Sequence, residues 1–238
     1  CDLPAQLADK LELTVLPLSF TINGKEHYNY LDGRDISSSH FYRLLREGTQ
    51  CTTSAANTNA FLSAMEPVLK KGKDILCICF SSALSTTCAS AQMAAKELVL
   101  KYPNNKIYIV DSLSASLGQG MLTYYAVQQK QNGKTIEQVY QWMEQNKLHL
   151  CHWFTVDDLN HLKRGGRISP AVAFVGSLLG MKPILHVDDT GHLVNVGKIK
   201  GRRASLSQLV EKLEQTAVHI AEQTIFISHG DCPEDPSF

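Results

Sequence analysis

The stretch Asp74-Ile75-Leu76-Cys77-Ile78-Cys79-Phe80-Ser81-Ser82-Ala83-Leu84-Ser85-Thr86-Thr87 decides the fold. Its first half is a short, continuous apolar run, the pattern of a buried strand. Its second half, Ser81 to Thr87, carries five hydroxyls in seven residues. Ala89 to Lys101 follows and is rich in helix formers. Downstream, Lys106 to Val110 is another buried strand, ending in Asp111-Ser112, and a helix is expected from about Gly118 to Gln131. Gly133-Lys134 breaks the chain. Thr135 then caps a helix bearing Ile136, Val139, Tyr140 and Met143 on one face. Alternating strands and helices are the signature of a parallel sheet covered by helices, so the fold class is α/β.

Upstream, Phe61, Met65, Val68 and Leu69 give Asn57 to Lys70 one apolar helix face. Ile36 to Arg46 reads as a helix with Ser37, Ser38 and Ser39 as candidate caps. Leu13 to Ile22 reads as a strand interrupted by Pro17, hence an edge or bent strand, and Asn23-Gly24 is a turn signal. After about residue 148 the texture changes. Leu150 to Val156 is strand-like, and Pro170 to Leu179 is expected to be helical with Pro170 in its first turn. Pro183 to Val187 and His192 to Ile199 flank the hairpin turn Asp188-Asp189-Thr190-Gly191. Ser205 starts an amphipathic helix, and Thr224 to Ser228 reads as a final strand ending at His229-Gly230-Asp231. Two domains are expected, 1–148 with a parallel-type sheet flanked by helices and 149–238 of mixed α/β type. The start at Cys1-Asp2-Leu3-Pro4 and the stop at Asp235-Pro236-Ser237-Phe238 lead to the expectation that both ends are clipped and the second domain is C-terminally incomplete.

Composition narrows the function. Apolar residues make up 44% of the 238, ordinary for a chain that buries a core. Charge is balanced, with 23 Lys+Arg against 23 Asp+Glu, whereas broad capture of nucleic acid needs a concentrated basic face. One local basic spot remains, Lys198-Ile199-Lys200-Gly201-Arg202-Arg203. The longest nearly apolar run, Ala171 to Met181, falls short of the roughly 20 residues that span a bilayer. The seven cysteines form no CxxC pair, and Cys77 and Cys79 share one face of a strand as small core residues. The chain reads as a reduced, cytoplasmic protein.

Two hydroxyl clusters precede helix-like segments: Thr52-Thr53-Ser54 and the Ser81–Thr87 loop. A helix start offers unpaired N–H groups and a partial positive charge, and so favours a small anion. Each cluster has a plainer reading as well, the first as an N-cap and the second as a loop bonded to its own backbone. The glycines and lysine of a Walker-type phosphate loop are absent. Lys163-Arg164-Gly165-Gly166-Arg167 is a basic glycine turn, where Arg164 or Arg167 either clamps a carboxylate or pins the turn to nearby carbonyls. His229 is a candidate donor to an acid group. His149 and His152 are placed to face opposite ways, which disfavours a shared metal. Asp157-Asp158 suits a turn better than paired catalysis. No strong acid, base or metal cluster accompanies the hydroxyls, so the site reads as one that holds an anionic head group without transforming it. A hydrolase or phosphoryl-transfer enzyme using the Ser/Thr loop is the alternative, and a DNA-binding regulator is a third reading that lacks a recognition helix.

The order of Asp2-Leu3-Pro4, Pro17-Leu18, Thr53-Ser54, Ser82-Ala83-Leu84-Ser85-x-Thr87, Asp111-Ser112, Asp158-Leu159-x-x-Leu162-Lys163-x-Gly165-Gly166-Arg167-Ile168-Ser169 and Lys182-Pro183-Ile184 resembles the DegV family of bacterial fatty-acid-binding proteins. The resemblance implies two α/β domains with a long-chain fatty acid between them, its tail in an apolar tunnel. By that match Thr53, Ser54, Ser82, Ser85 and His229 hold the carboxylate. The family also implies a fatty acid kinase as partner, making acyl phosphate for phospholipid synthesis, with Arg202 at the position linked to that partner. No cofactor or metal, no integral membrane association and at most transient contact with a membrane surface are implied. Two departures stand out. Ala55-Ala56-Asn57 replaces Gln-Pro-Ser after the Thr-Ser pair, and Thr86 replaces the glycine after Ser85.

Overall fold

The computed structural model describes residues 1–169 and 180–232. At its centre β4 (Ile75–Cys79) and β5 (Ile107–Asp111) run parallel, in register from Ile75↔Ile107 to Cys79↔Asp111. Side chains alternate along a strand, so Ile75, Cys77 and Cys79 point to one face and Leu76 and Ile78 to the other. The first face packs against α3 (Thr58–Leu69) and α4 (Thr87–Lys101) through Phe61, Met65, Leu69, Cys88, Ala91 and Leu98. The second packs against α5 (Ser116–Gln131) and α6 (Ile136–Asn146) through Leu122, Ala126, Val139 and Met143. Ala91 and Ala94 are fully buried, and their small side chains let α4 approach the sheet closely. This is the helix-covered parallel sheet that the alternating pattern implies.

Local chemistry sets the helix ends. Asn57 caps α3 by accepting from the Ala60 N–H at 2.9 Å. Ser37 caps α2 (Ser38–Arg46) by accepting from His40 N–H. Thr135 and Gln138 form a reciprocal capping box on α6.

Several expectations are corrected. Only Ser19–Ile22 of the expected strand Leu13–Ile22 forms a ladder, as β1. It pairs antiparallel with β2 (Lys25–Tyr28) and β3 (Cys51–Ser54) in a small sheet ordered β2-β1-β3. Asn23 and Gly24, with φ of 51° and 74°, make the tight turn between β1 and β2. Thr52-Thr53-Ser54 is therefore a strand and no helix cap. Thr53 sits opposite Phe20, β-branched residues favour the extended chain, and Asn57 caps the helix instead.

The second sheet, β6-β7-β8, is antiparallel: β6 (Trp153–Thr155), β7 (Met181–Val187) and β8 (Leu193–Lys200). The strand expected over Leu150–Val156 is thus three residues long. α7 (Asn160–Arg164) follows β6, and α8 (Arg202–Thr216) packs on the sheet, starting three residues before the expected Ser205. At the β7–β8 turn the Asp188 carboxylate accepts from Thr190 Oγ1, Thr190 N–H and His192 N–H at 2.7–2.9 Å. The helix expected at 170–179 lies outside the described residues.

The final strand expected over Thr224–Ser228 does not form. The segment joins no ladder among the described residues, with Phe226 turned onto Tyr124 at 5.6 Å and Ile225 and Ile227 exposed. Apolar alternation becomes a strand only where an edge supplies the partner bonds.

Candidate functional site

The carboxyl ends of β4 and β5 lie side by side, and their loops are tied by Asp111. Its Oδ1 accepts from Ser82 N–H at 3.2 Å and Leu113 N–H at 3.1 Å. Ser81, fully buried, donates through Oγ to the Gly191 carbonyl at 2.9 Å, joining this loop to the β7–β8 turn. Gly191 has φ of +81°, and a Cβ there would lie 2.2 Å from Ser81 Oγ and 3.2 Å from Leu113 Cα. Backbone conformation and contact both demand glycine. Arg167 Nε donates to the Leu84 carbonyl at 3.2 Å, and Nη1 donates to the Gly165 carbonyl. Of the two readings of the basic glycine turn, the structure realises the pinned turn, with Gly166 alone of the pair at positive φ (+72°).

A cavity of about 1110 Å³ opens at this junction. Its lining includes Ala56, Leu84 and Thr87 together with Leu162, Arg167 and Leu193. Ala56 follows Ser54 by two residues and packs in the same cluster as Cys88 of α4, so the β3 exit and the Ser-rich loop flank the same opening. Thr53 and Ser54 are exposed. Ser85 Oγ pairs with Thr87 Oγ1 at 2.8 Å and accepts from Thr87 N–H at 3.3 Å, so the plainer reading of a locally bonded loop is partly realised. Ser82 is exposed and anchored through its backbone. None of these four hydroxyls lines the cavity itself; their chain neighbours do.

His229 lies at the same end of the sheet, in contact with other groups. Ser228 Oγ is 3.4 Å from Ser116 Oγ at the start of α5, a Cβ on Gly230 would meet the Tyr42 ring, and Asp231 pairs with Arg46. His229 Nδ1 accepts from Cys232 N–H at 3.1 Å, which leaves Nε2 as the proton-bearing nitrogen and a donor. Cys232 Sγ is 3.9 Å from Arg202 Nη2 at the start of α8. The structure therefore keeps Thr53 and Ser54 exposed on β3 and bonds Ser85 within its own loop, while His229 and Arg202 are linked through Cys232.

The sequence reading gave no partners for Ser81, Asp111 and Gly191: Ser81 joins the β4–β5 sheet to the β7–β8 turn through Gly191, and Asp111 ties the two loops of the β4–β5 sheet to each other. His152, weighed in the sequence only as a metal pair with His149, sits over Gly118 with Nε2 3.3 Å from Ser114 Oγ. Burial and the neighbouring His186 bring its pKa down to about 4. The thiols of Cys79 and Cys88 are pushed up, first by the sulfur hydrogen bonds that link Cys77, Cys79 and Cys88 and also by burial, away from the thiolate a nucleophile needs. Among the described residues no group of three or more His, Cys, Asp and Glu is placed to hold a metal, and no helix is long and apolar enough to cross a membrane.

Residues 1–237 match the model of a family described as uncharacterised proteins of the DegV family. A DegV domain-containing protein of Clostridium perfringens is 48% identical over 234 residues, 98% of this chain and 80% of its own. A solved DegV family protein of Thermus thermophilus, described by its fatty acid binding, is 29% identical with a TM-score of 0.78, over 93% of this chain and 75% of that one. The fatty acid kinase B3 protein of Streptococcus pneumoniae, loaded with linoleic acid, shares the fold at 20% identity and TM-score 0.75, over 84% of this chain and 69% of that one.

Proposed function

The chain belongs to the DegV family, and on that premise we propose that it is a cytoplasmic carrier that holds a long-chain fatty acid between domains 1–148 and 149–238 and performs no chemistry on it. One observation carries the reading: an apolar cavity opens where the exit of β3 and the Ser81–Thr87 loop meet Leu162, Arg167 and Leu193. In this reading Thr53, Ser54, Ser82 and Ser85 donate to the carboxylate, with His229 Nε2 as a further donor. The acyl chain enters the apolar space lined by Ala56, Leu84, Leu162 and Leu193. A tail of about 15 methylenes contributes on the order of 12 kcal/mol before the cost of ordering it. The hydroxyls orient the acid, because a carboxylate buried without donors is costly. The fatty-acid-binding relative from Thermus thermophilus supports the ligand class.

The finer step is presentation of the carboxylate to a fatty acid kinase, which phosphorylates it to the acyl phosphate. The position of Arg202 supports this role, since Cys232 links it to His229. A partner gripping Arg202 would stand beside the head group.

Replacing Thr53 and Ser85 together by alanine tests the site. Each hydrogen bond to a charged acid contributes about 1.5–3 kcal/mol, so affinity for oleate should fall at least about tenfold while the unfolding midpoint stays close to that of the parent. Unchanged oleate affinity in the folded double variant rejects the assignment.

A further inference from the structure

His229 is held by the turn that follows it. Cys232 N–H donates to its Nδ1 at 3.1 Å, a bond that closes only while Gly230 and Asp231 fold back on the ring. Asp231 stands at φ of +60°, a region that a residue with a Cβ keeps where its surroundings hold it there. Both holding contacts come from α2. The Tyr42 ring lies against Gly230 so closely that a Cβ there would stand 3.1 Å from Cε1 and 3.2 Å from Cζ. Arg46 pairs with the Asp231 carboxylate. Tyr42 and Arg46 are one turn apart and so share a helix face.

α2 is tied in turn to the strand that carries Thr53. The Tyr42 ring meets Phe41 edge-on at 5.3 Å, and Phe41 meets Phe20 edge-on at 5.0 Å. Phe20 is the ladder partner of Thr53 across β1 and β3, and such partners share a face of the sheet. Three rings therefore connect the Thr53 strand to the His229 turn. None of the residues of α2 is fully buried, so the helix adds little to the core. What it does hold is that turn. Burial first, then the charge of Asp2, pushes the Tyr42 phenol above its usual pKa, so it stays neutral beside Gly230.

We propose that Tyr42 and Arg46 are positioning residues for His229: they close the Gly230–Asp231 turn, the turn keeps the Cys232 N–H on Nδ1, and Nε2–H is thereby fixed as the donor to an acid head group. The proposal rests on the reading of His229 as a carboxylate donor. A neutral imidazole released from that bond has two tautomers and two ring orientations. About one state in four then presents Nε2–H to the acid, and apparent affinity falls about fourfold.

Two measurements on the whole chain test it. Nitrogen NMR of His229 without ligand should show Nε2 protonated and Nδ1 bare in the parent. Tyr42→Ala and Arg46→Ala should each mix the two tautomers, and Tyr42→Phe should restore the parent signal. Arg46 is exposed, so its variant keeps the fold and decides the matter if Tyr42→Ala unfolds. Oleate titration should show binding about fourfold weaker in Tyr42→Ala and at least about tenfold weaker in His229→Ala. Both variants act through one donor, so adding Tyr42→Ala to His229→Ala should weaken binding no further. An unmixed His229 tautomer in either folded α2 variant, or additive losses in the double variant, would overturn the proposal and leave the carboxylate site standing. Parent-like oleate binding by His229→Ala is a separate result: it would reject His229 as the donor and this proposal with it.

Discussion

Replacing Gly191 by alanine should loosen the joint between the two sheets, and the structure sets the size of the effect. Gly191 has φ of +81°, where an L side chain costs about 1–2 kcal/mol. The new Cβ would stand 2.2 Å from Ser81 Oγ, so the hydroxyl must leave the Gly191 carbonyl that it reaches at 2.9 Å. Ser81 is fully buried, and a buried hydroxyl deprived of its partner costs about 1–3 kcal/mol. Leu113 Cα, at 3.2 Å, leaves little room for the turn to retreat. The total is about 2–5 kcal/mol, which for a chain of this size lowers the melting temperature by about 4–20 °C. Gly166→Ala is the matched control: Gly166 has φ of +72°, but a Cβ there would meet nothing within 4 Å, leaving only the backbone part. Urea unfolding of both variants separates the terms, because both share the backbone cost. Equal destabilisation of the two would refute the claim that the Ser81–Gly191 contact holds the junction.

Three further outcomes are expected. His152 has a folded pKa of about 4 against 6.5 in the open chain, so the unfolded state binds the proton first. Its contribution is complete above pH 6.5 and is lost towards pH 4, by about 3 kcal/mol over that window, and His152→Gln should flatten this part of the stability profile. Arg202→Glu should leave oleate affinity unchanged and weaken acyl-phosphate formation by an added fatty acid kinase, measured as phosphate transfer; equal turnover would remove Arg202 from the partner surface. Leu98→Ala, in the fully buried face of α4, should cost about 2–5 kcal/mol in urea unfolding without changing fatty acid selectivity.

What was legible in the sequence follows from the range of the interactions. The β4–α4–β5–α5–α6 run could be read because its strands are continuous apolar runs, its helices bury faces at their own period, and α6 carries its own Thr135–Gln138 capping box. The small β1–β3 sheet was harder. Its strands are four residues long, and β2 is Lys25-Glu26-His27-Tyr28, with no apolar alternation to announce it. Thr52 to Ser54 looked like the approach to a helix because the true cap, Asn57, stands a few residues on. Thr224 to Ser228 had the composition of a strand, but no edge receives it. The hydroxyl loops were visible as clusters, whereas the bonds that orient them join Ser81 to Gly191 and Arg167 to Leu84 across more than eighty residues. No local pattern encodes such contacts.

The central claim is that a lipid acid lodges intact in the cavity whose lining includes Leu84, Thr87, Leu162 and Arg167. Denaturing extraction of the purified protein followed by mass spectrometry tests it most directly. A near-stoichiometric amount of unmodified long-chain fatty acid, reduced in the Thr53→Ala, Ser85→Ala double variant, is the predicted result. Recovery of no fatty acid, together with no uptake of added oleate, would contradict it.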